Sequence, residues 1–127
     1  MTFSRRAALV IGILLPLGET LRRWGTWFVD PPAYLDDLSI GAFLLIAFWL
    51  SARDGSVGRR YLAAAWGYAC GMGYSSFFRH LANLDAPDPA PISNRAVTTI
   101  IGIGWAVCIV ALFAALGSPN PATRSKA

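Results

Sequence analysis

Four stretches of this chain, Leu9–Leu17, Ile40–Leu50, Tyr61–Phe78 and Ala96–Leu116, contain no charged residue, and the charges collect between them. That arrangement constrains the fold more than any other feature. A soluble helical bundle needs a charged or polar outer face on every helix, and these blocks do not supply one. The hydrophobic fraction of 55% and mean hydropathy of +0.48 accompany a charged fraction of only 14%, against the usual ~25% of soluble domains. At 127 residues there is room for one compact unit. The sequence therefore predicts an all-α protein, a four-transmembrane-helix up-and-down bundle over residues 1–117. Its spans fall near 7–28, 38–52, 60–84 and 95–117, with short connections that make sequential helices antiparallel neighbours.

Span three is the centre of that expectation. Ala63, Gly67, Gly71 and Ser75 recur at helical spacing, so one face offers a stripe on which another helix can pack backbone to backbone. Gly102 and Ala106 repeat the pattern on span four. Gly67, Gly71, Gly102 and Ala106 are thus the expected helix-packing positions.

Met1–Arg6 is a basic leader, and Ser4-Arg5-Arg6-Ala7-Ala8-Leu9 resembles a twin-arginine export signal. No small-x-small cleavage site follows, so the segment reads as an uncleaved first span. Pro16 removes a backbone hydrogen bond and crowds the carbonyl of Gly12, which predicts a kink. Trp24, Trp27 and Phe28 suit an interfacial belt. Asp30-Pro31-Pro32 breaks the first outer loop, and Asp36-Asp37 is positioned to cap span two. The segment from Arg53 to Arg60 reads as a tight turn, Ser93 or Asn94 as the cap of span four, Gly117 as its stop, and 118–127 as a disordered cytoplasmic tail.

Basic residues set the orientation. Arg5, Arg6, Arg53, Arg59, Arg60, Arg124 and Lys126 fall on one side, whereas Arg22, Arg23, Arg79 and Arg95 share the other with six of the seven acidic residues. That bias places both termini in the cytoplasm. Arginine outnumbers lysine ten to one in a chain rich in Ala and Gly, which points to a GC-rich bacterium and hence to the inner membrane. The net charge of +4 would suggest nucleic acid in a soluble protein, but no basic patch or aromatic-interleaved groove accompanies it. The expected partners are the lipid bilayer and a second copy or another membrane protein.

The chemistry-bearing residues gather at one depth. Glu19, Arg22 and Arg23 from span one, Asp36 and Asp37 from span two, and Ser76, Arg79, His80 and Asn83 from span three all reach the outer half. Ionisable groups are costly inside a bilayer. They read either as a structural ion-pair cluster, Glu19 with Arg22 or Arg23 and Asp36 or Asp37 with Arg79, or as an ion or solute site with a relay through Glu19 and His80. The single His with its carboxylates lacks zinc-like ligand spacing, so no metal and no cofactor are expected. Cys70 and Cys108 share no CxxC pattern and read as small buried apolar residues.

Three resemblances bear on function. Asp54-Gly55-Ser56-Val57-Gly58-Arg59 is similar to the opening of the CDP-alcohol phosphotransferase signature. The later aspartates of that signature are replaced here by Gly67, Gly71 and Ser75, or by Tyr68, Met72 and Ser76 in strict register, so the stretch is read as a turn. The small multidrug transporters share four helices and a first-span glutamate, but Arg22-Arg23 and the Pro-rich outer loops are unlike them. Asp36–Leu45 followed by Leu62–Phe78 resembles a group of uncharacterised small bacterial four-helix integral membrane proteins, over most of the chain from Glu19 to Leu116. That resemblance implies the topology and carries no activity. The sequence thus predicts a non-catalytic packing or accessory module of the inner membrane, with a small-solute or ion transporter subunit built on Glu19 and His80 as the alternative. No nucleophile–base pair argues for an enzyme.

Overall fold

Each charge-free block lies within one helix, and every helix starts before the block that seeds it. The computed structural model describes residues 2–26, 28–87 and 92–117. Among them the secondary structure is helical: α1 (Thr2–Arg22), α2 (Pro31–Arg53), α3 (Gly55–Leu81) and α4 (Asn94–Leu116). The tail 118–127, Trp27, and Pro89 and Pro91 of the last connector lie outside the described residues.

The boundaries differ from the expected spans for local reasons. Pro31 and Pro32, expected to break a loop, instead open α2, because a proline in the first turn loses no hydrogen bond and its fixed φ suits a helix. Asp36 and Asp37 therefore lie inside α2 and do not cap it; the N-cap position is Asp30, at φ 54° and without a side-chain cap bond. α1 ends at Arg22, short of residue 28, and the chain turns through Gly25 at φ 82°, a left-handed geometry that glycine adopts without cost. Between α2 and α3 only Asp54 is non-helical. Its carboxylate Oδ1 accepts from the Ser56 and Val57 N–H groups at 2.9 and 3.1 Å, so the expected tight turn is the first turn of α3 itself. Ser93 caps α4, as one of the two residues expected there, its Oγ accepting from Ala96 N–H.

Contacts fix an antiparallel order. α1 meets α2 through Gly12 against Leu45, Pro16 against Gly41, and Thr20 against Tyr34. α2 meets α3 through Ser51 against Gly58 and Ser39 against Tyr68. α3 meets α4 through Gly73 against Trp105, Phe77 against Gly102, and His80 against Asn94. α1 also touches α4, less extensively than it touches α2. The start of α1, the Asp54 turn and the end of α4 consequently share one end of the bundle.

The interior is built from small residues. Ala8, Ala47, Ala65, Ala69, Ala111 and Ala115 form the core with Ile40, Leu44, Leu62 and Trp66. The fully buried Trp66 indole donates to the equally buried Ser4 hydroxyl at 2.9 Å, tying α3 to α1 and satisfying both polar groups. A Cβ on Gly41 would overlap the Pro16 ring, and one on Gly58 would overlap the Ser51 backbone. Small side chains at these positions let the helices approach backbone to backbone. α1 continues through Pro16 as helix, with the Gly12 carbonyl it frees facing Gly41.

The outside inverts the soluble pattern. Ile13, Leu14 and Leu17 on α1, Ile46 and Trp49 on α2, Tyr61 and Phe78 on α3, and Ile100, Ile103 and Phe113 on α4 are all exposed. α2 and α4 are each long and apolar enough to cross a membrane. α1 carries Arg5, Arg6, Glu19 and Arg22 within its length, while the tyrosines, glycines and serines of α3 dilute its apolar character; neither reaches the same standard.

Two expected packing positions are not used within the chain. Gly67 and Gly71 are exposed, and a Cβ on either would meet no atom of the bundle within 4 Å. The close approaches fall instead at Gly12, Gly41, Gly58, Gly73 and Gly102. The reason is rotational: the buried face of α3 runs through Gly58, Leu62, Ala65, Trp66 and Ala69, which turns the Gly67–Gly71 stripe outward. Gly102 does pack closely, its virtual Cβ 2.9 Å from the Phe77 ring, whereas Ala106 is exposed.

Candidate functional site

The polar residues singled out in the sequence do assemble at one end of the bundle, but as separate small networks. In the last turns of α1, Glu19 accepts from both Arg22 nitrogens, Nε and Nη2, at 2.8 Å each, and from Arg23 Nε. The spacing of three and four residues on one helix brings these side chains together. The Glu19 side chain is only 10% exposed, so both guanidiniums neutralise a carboxylate that water barely reaches. Arg23 is itself buried and donates from Nη1 to the Val29 and Asp30 carbonyls at 2.6 and 3.1 Å. It holds the α1–α2 connection in place by satisfying two carbonyls that no helix pairs. Thr20 adds a second link, its hydroxyl donating to the Pro16 carbonyl and accepting from the Tyr34 phenol.

Across the bundle, His80 Nδ1 donates to Asn94 Oδ1 at 2.7 Å, and the Asn94 amide donates to the Asn83 carbonyl. Asn83 lies in the turn beyond α3, its own amide donating to the Arg79 carbonyl. His80 thus fastens the α3–α4 connection and makes no hydrogen bond to Glu19. Arg79 is exposed, and the expected ion pair with Asp36 or Asp37 is absent among the described residues. Arg95 pairs instead with Asp85 at 3.1 Å, both well exposed, where such a bridge contributes little.

Asp36 and Asp37 are both half-buried, and neither carboxylate makes a hydrogen bond or ion pair with any described residue. The bond at Asp36 is to its backbone carbonyl, which accepts from the Ser39 hydroxyl, and that hydroxyl in turn takes a hydrogen bond from Tyr68.

The Glu19 triad, the two aspartates of α2 and the His80–Asn94–Asn83 network line one cavity of about 820 Å³, which the Thr20–Tyr34, Ser39–Tyr68 and Arg95–Asp85 pairs do not reach. Glu19, Arg22 and Arg23 form one wall, Asp36 and Asp37 the next, and Ser76, Arg79 and His80 the third. Deeper in, the walls are Ile11, Leu15, Ile40, Met72, Trp105 and Cys108. On α4 the lining includes Ile100 and Ile103, and on α1 Leu14, side chains that are also exposed on the outside of the bundle. The cavity therefore opens sideways between α1 and α4 as well as at the polar end. Its volume lies within the ~300–1,000 Å³ of small-ligand sites, and its apolar body with a few polar groups at one end is their usual composition.

No group of three His, Cys, Asp or Glu able to hold a metal ion occurs among the described residues. Cys70 and Cys108 are both free thiols, one half-buried and one buried. Trp105 Nε1 donates to the Cys70 carbonyl at 3.1 Å while its ring stacks on Phe77, so an aromatic wall is fixed in orientation from two sides. Sequence reasoning found Glu19, Arg22 and Arg23 as a unit but missed the reach of Arg23 to the loop carbonyls and the Ser4–Trp66 link. No local signal announces either, since each joins residues from different elements. Asn94 was visible as a capping candidate; its role as the hub between His80 and Asn83 was not. No known protein family, no curated protein and no solved structure matches this chain.

Proposed function

We propose that this chain is a small multi-pass protein of the bacterial inner membrane, with four spans and both termini cytoplasmic, acting as a non-catalytic packing or accessory module. The observation that carries the reading is the inverted surface: large apolar side chains point outward from all four helices, while six alanines make up much of the core around Ile40, Leu44, Leu62 and Trp66. Small-residue interiors suit helices that associate where lipid supplies no hydrophobic drive, and the outward apolar surface needs a solvent other than water. The clustering of Arg5, Arg6, Arg53, Arg59 and Arg60 at one end supports the orientation. The settled state of Glu19, with two guanidiniums on one carboxylate, supports a structural role for that triad.

The exposed Gly67–Gly71 stripe, unused by the chain itself, is the surface on which a second copy or another membrane protein would sit. Native mass measurement on particles extracted with their lipids tests this. The module reading predicts a complex larger than one chain, converted to monomer by Gly71→Leu with the bundle still folded. A native monomer would refute it.

The transporter-subunit reading keeps one specific support, that Glu19 and His80 line the same cavity. It predicts a flux that Glu19→Gln abolishes without loss of stability.

A further inference from the structure

The cavity at the polar end of the bundle is one positive charge short. Facing Asp37 are Glu19 and Asp36, which share its sign, and Arg22 and Arg23, which oppose it; all five line the cavity. Three carboxylates thus stand against two guanidiniums. Adding the two remaining charged lining residues, Asp30 and Arg79, leaves the deficit unchanged. His80, on the opposite wall, has its Nδ1 engaged by Asn94. Glu19 takes both nearby guanidiniums, so the half-buried carboxylates of Asp36 and Asp37 are left without a hydrogen bond or ion pair among the described residues, and of the two Asp37 is the one that faces the Glu19 triad. Drawing a carboxylate partly out of solvent without a partner is costly, and a cation in the space beside it would offset that cost.

The rest of the cavity says which kind of cation. A small inorganic ion needs several converging oxygen ligands, and no such metal-binding group exists among the described residues. The space is far larger than an ion, about 820 Å³, and its inner walls are Ile11, Leu15, Ile40 and Met72. Trp105 completes the wall with a ring held rigid by its bond to the Cys70 carbonyl and its stacking on Phe77. An indole face attracts cations and packs against apolar groups equally well. The gap between α1 and α4 gives an apolar molecule a lateral way in.

We propose that this cavity is a binding site for a monovalent organic cation with an apolar body, its charge against Asp37 and its hydrophobic part among Ile11, Leu15, Ile40, Met72 and Trp105. The site goes beyond the packing-module reading and holds whether or not anything is moved across a membrane.

The test uses two probes of the same shape and opposite charge, tetraphenylphosphonium and tetraphenylborate. Each is dialysed to equilibrium against the purified full chain in zwitterionic lipid discs, with empty discs subtracted. The proposal predicts saturable binding of the phosphonium and at least about tenfold weaker binding of the borate. Asp37→Asn weakens phosphonium binding by about tenfold or more and narrows the gap between the probes. Met72→Trp, which fills the cavity without touching its charges, reduces binding of the phosphonium and decides the matter should Asp37→Asn fail to fold. Equal binding of both probes, no saturable binding, native phosphonium affinity in a folded Asp37→Asn, or native affinity in Met72→Trp would each overturn the proposal. The oligomeric state of the chain enters none of these readings, so a failure here is separate from a failure of the module.

Discussion

At Glu19 one carboxylate serves two arginines, and its removal would leave both without their shared anion in a place water hardly reaches. Glu19→Gln should therefore lower stability by about 1.5–3 kcal/mol, the range for hydrogen bonds to charged groups. Combining it with Arg22→Gln should recover part of that loss. A double-mutant cycle in melting temperature checks this; a coupling below ~0.5 kcal/mol, the additivity error of independent sites, would contradict the structural role. Arg23 predicts a different outcome, because it also donates to the Val29 and Asp30 carbonyls. Arg23→Gln should destabilise even in the Glu19→Gln background, since those carbonyls stay unpaired. The Glu19 contacts were legible in the sequence, being fixed by helical spacing alone. The bond from His80 to Asn94 was not, because it depends on where the α3–α4 connection returns the chain.

Among the elements, α3 teaches most about what periodicity can and cannot tell. Its small-residue stripe was legible; which way that stripe faces was not, because rotation about the helix axis is decided by the partner surfaces. Ser51 and Leu50 on α2 come so close to Gly58 that no side chain fits there, and the Trp66–Ser4 bond pins the same face toward α1. Gly41→Leu should accordingly cost about 1–3 kcal/mol or more by overpacking against Pro16 and Gly12, whereas Gly71→Leu should leave the melting temperature of the isolated chain nearly unchanged. Comparable losses for the two would place the Gly71 stripe inside the bundle after all. The start of α3 gives a pH-dependent prediction. Hydrogen bonds from the Val57 N–H, the Ser56 hydroxyl and the Ser56 N–H hold the Asp54 carboxyl below its ordinary value of 3.8. The folded value is the lower one, so the cap contributes fully above the ordinary value and is lost as pH falls through the folded one. The gap in melting temperature between the native chain and Asp54→Ala should be constant near neutrality and should shrink only in strong acid; a gap that widens on acidification would contradict the cap.

For the whole molecule, the count and order of the helices were written in the charge-free blocks, because a helix without a polar face has few places to go. The helix starts were harder to read. Pro31 and Pro32 can end a loop or begin a helix, and nothing local in the sequence says that here they begin one. The polar end of the cavity was legible as a list of residues; its apolar body was not, since that depends on how the four helices stand relative to one another. The central proposal is that this bundle crosses a membrane four times with its basic end in the cytoplasm. Ser56 lies exposed at that end and Asp85 exposed at the other. With Cys70 and Cys108 replaced by alanine, Ser56→Cys and Asp85→Cys are treated in intact spheroplasts with a maleimide that cannot cross the membrane, then again after lysis. The account predicts that Asp85→Cys is labelled in intact spheroplasts and Ser56→Cys only after lysis. Labelling of both before lysis, or the reverse pattern, would contradict it.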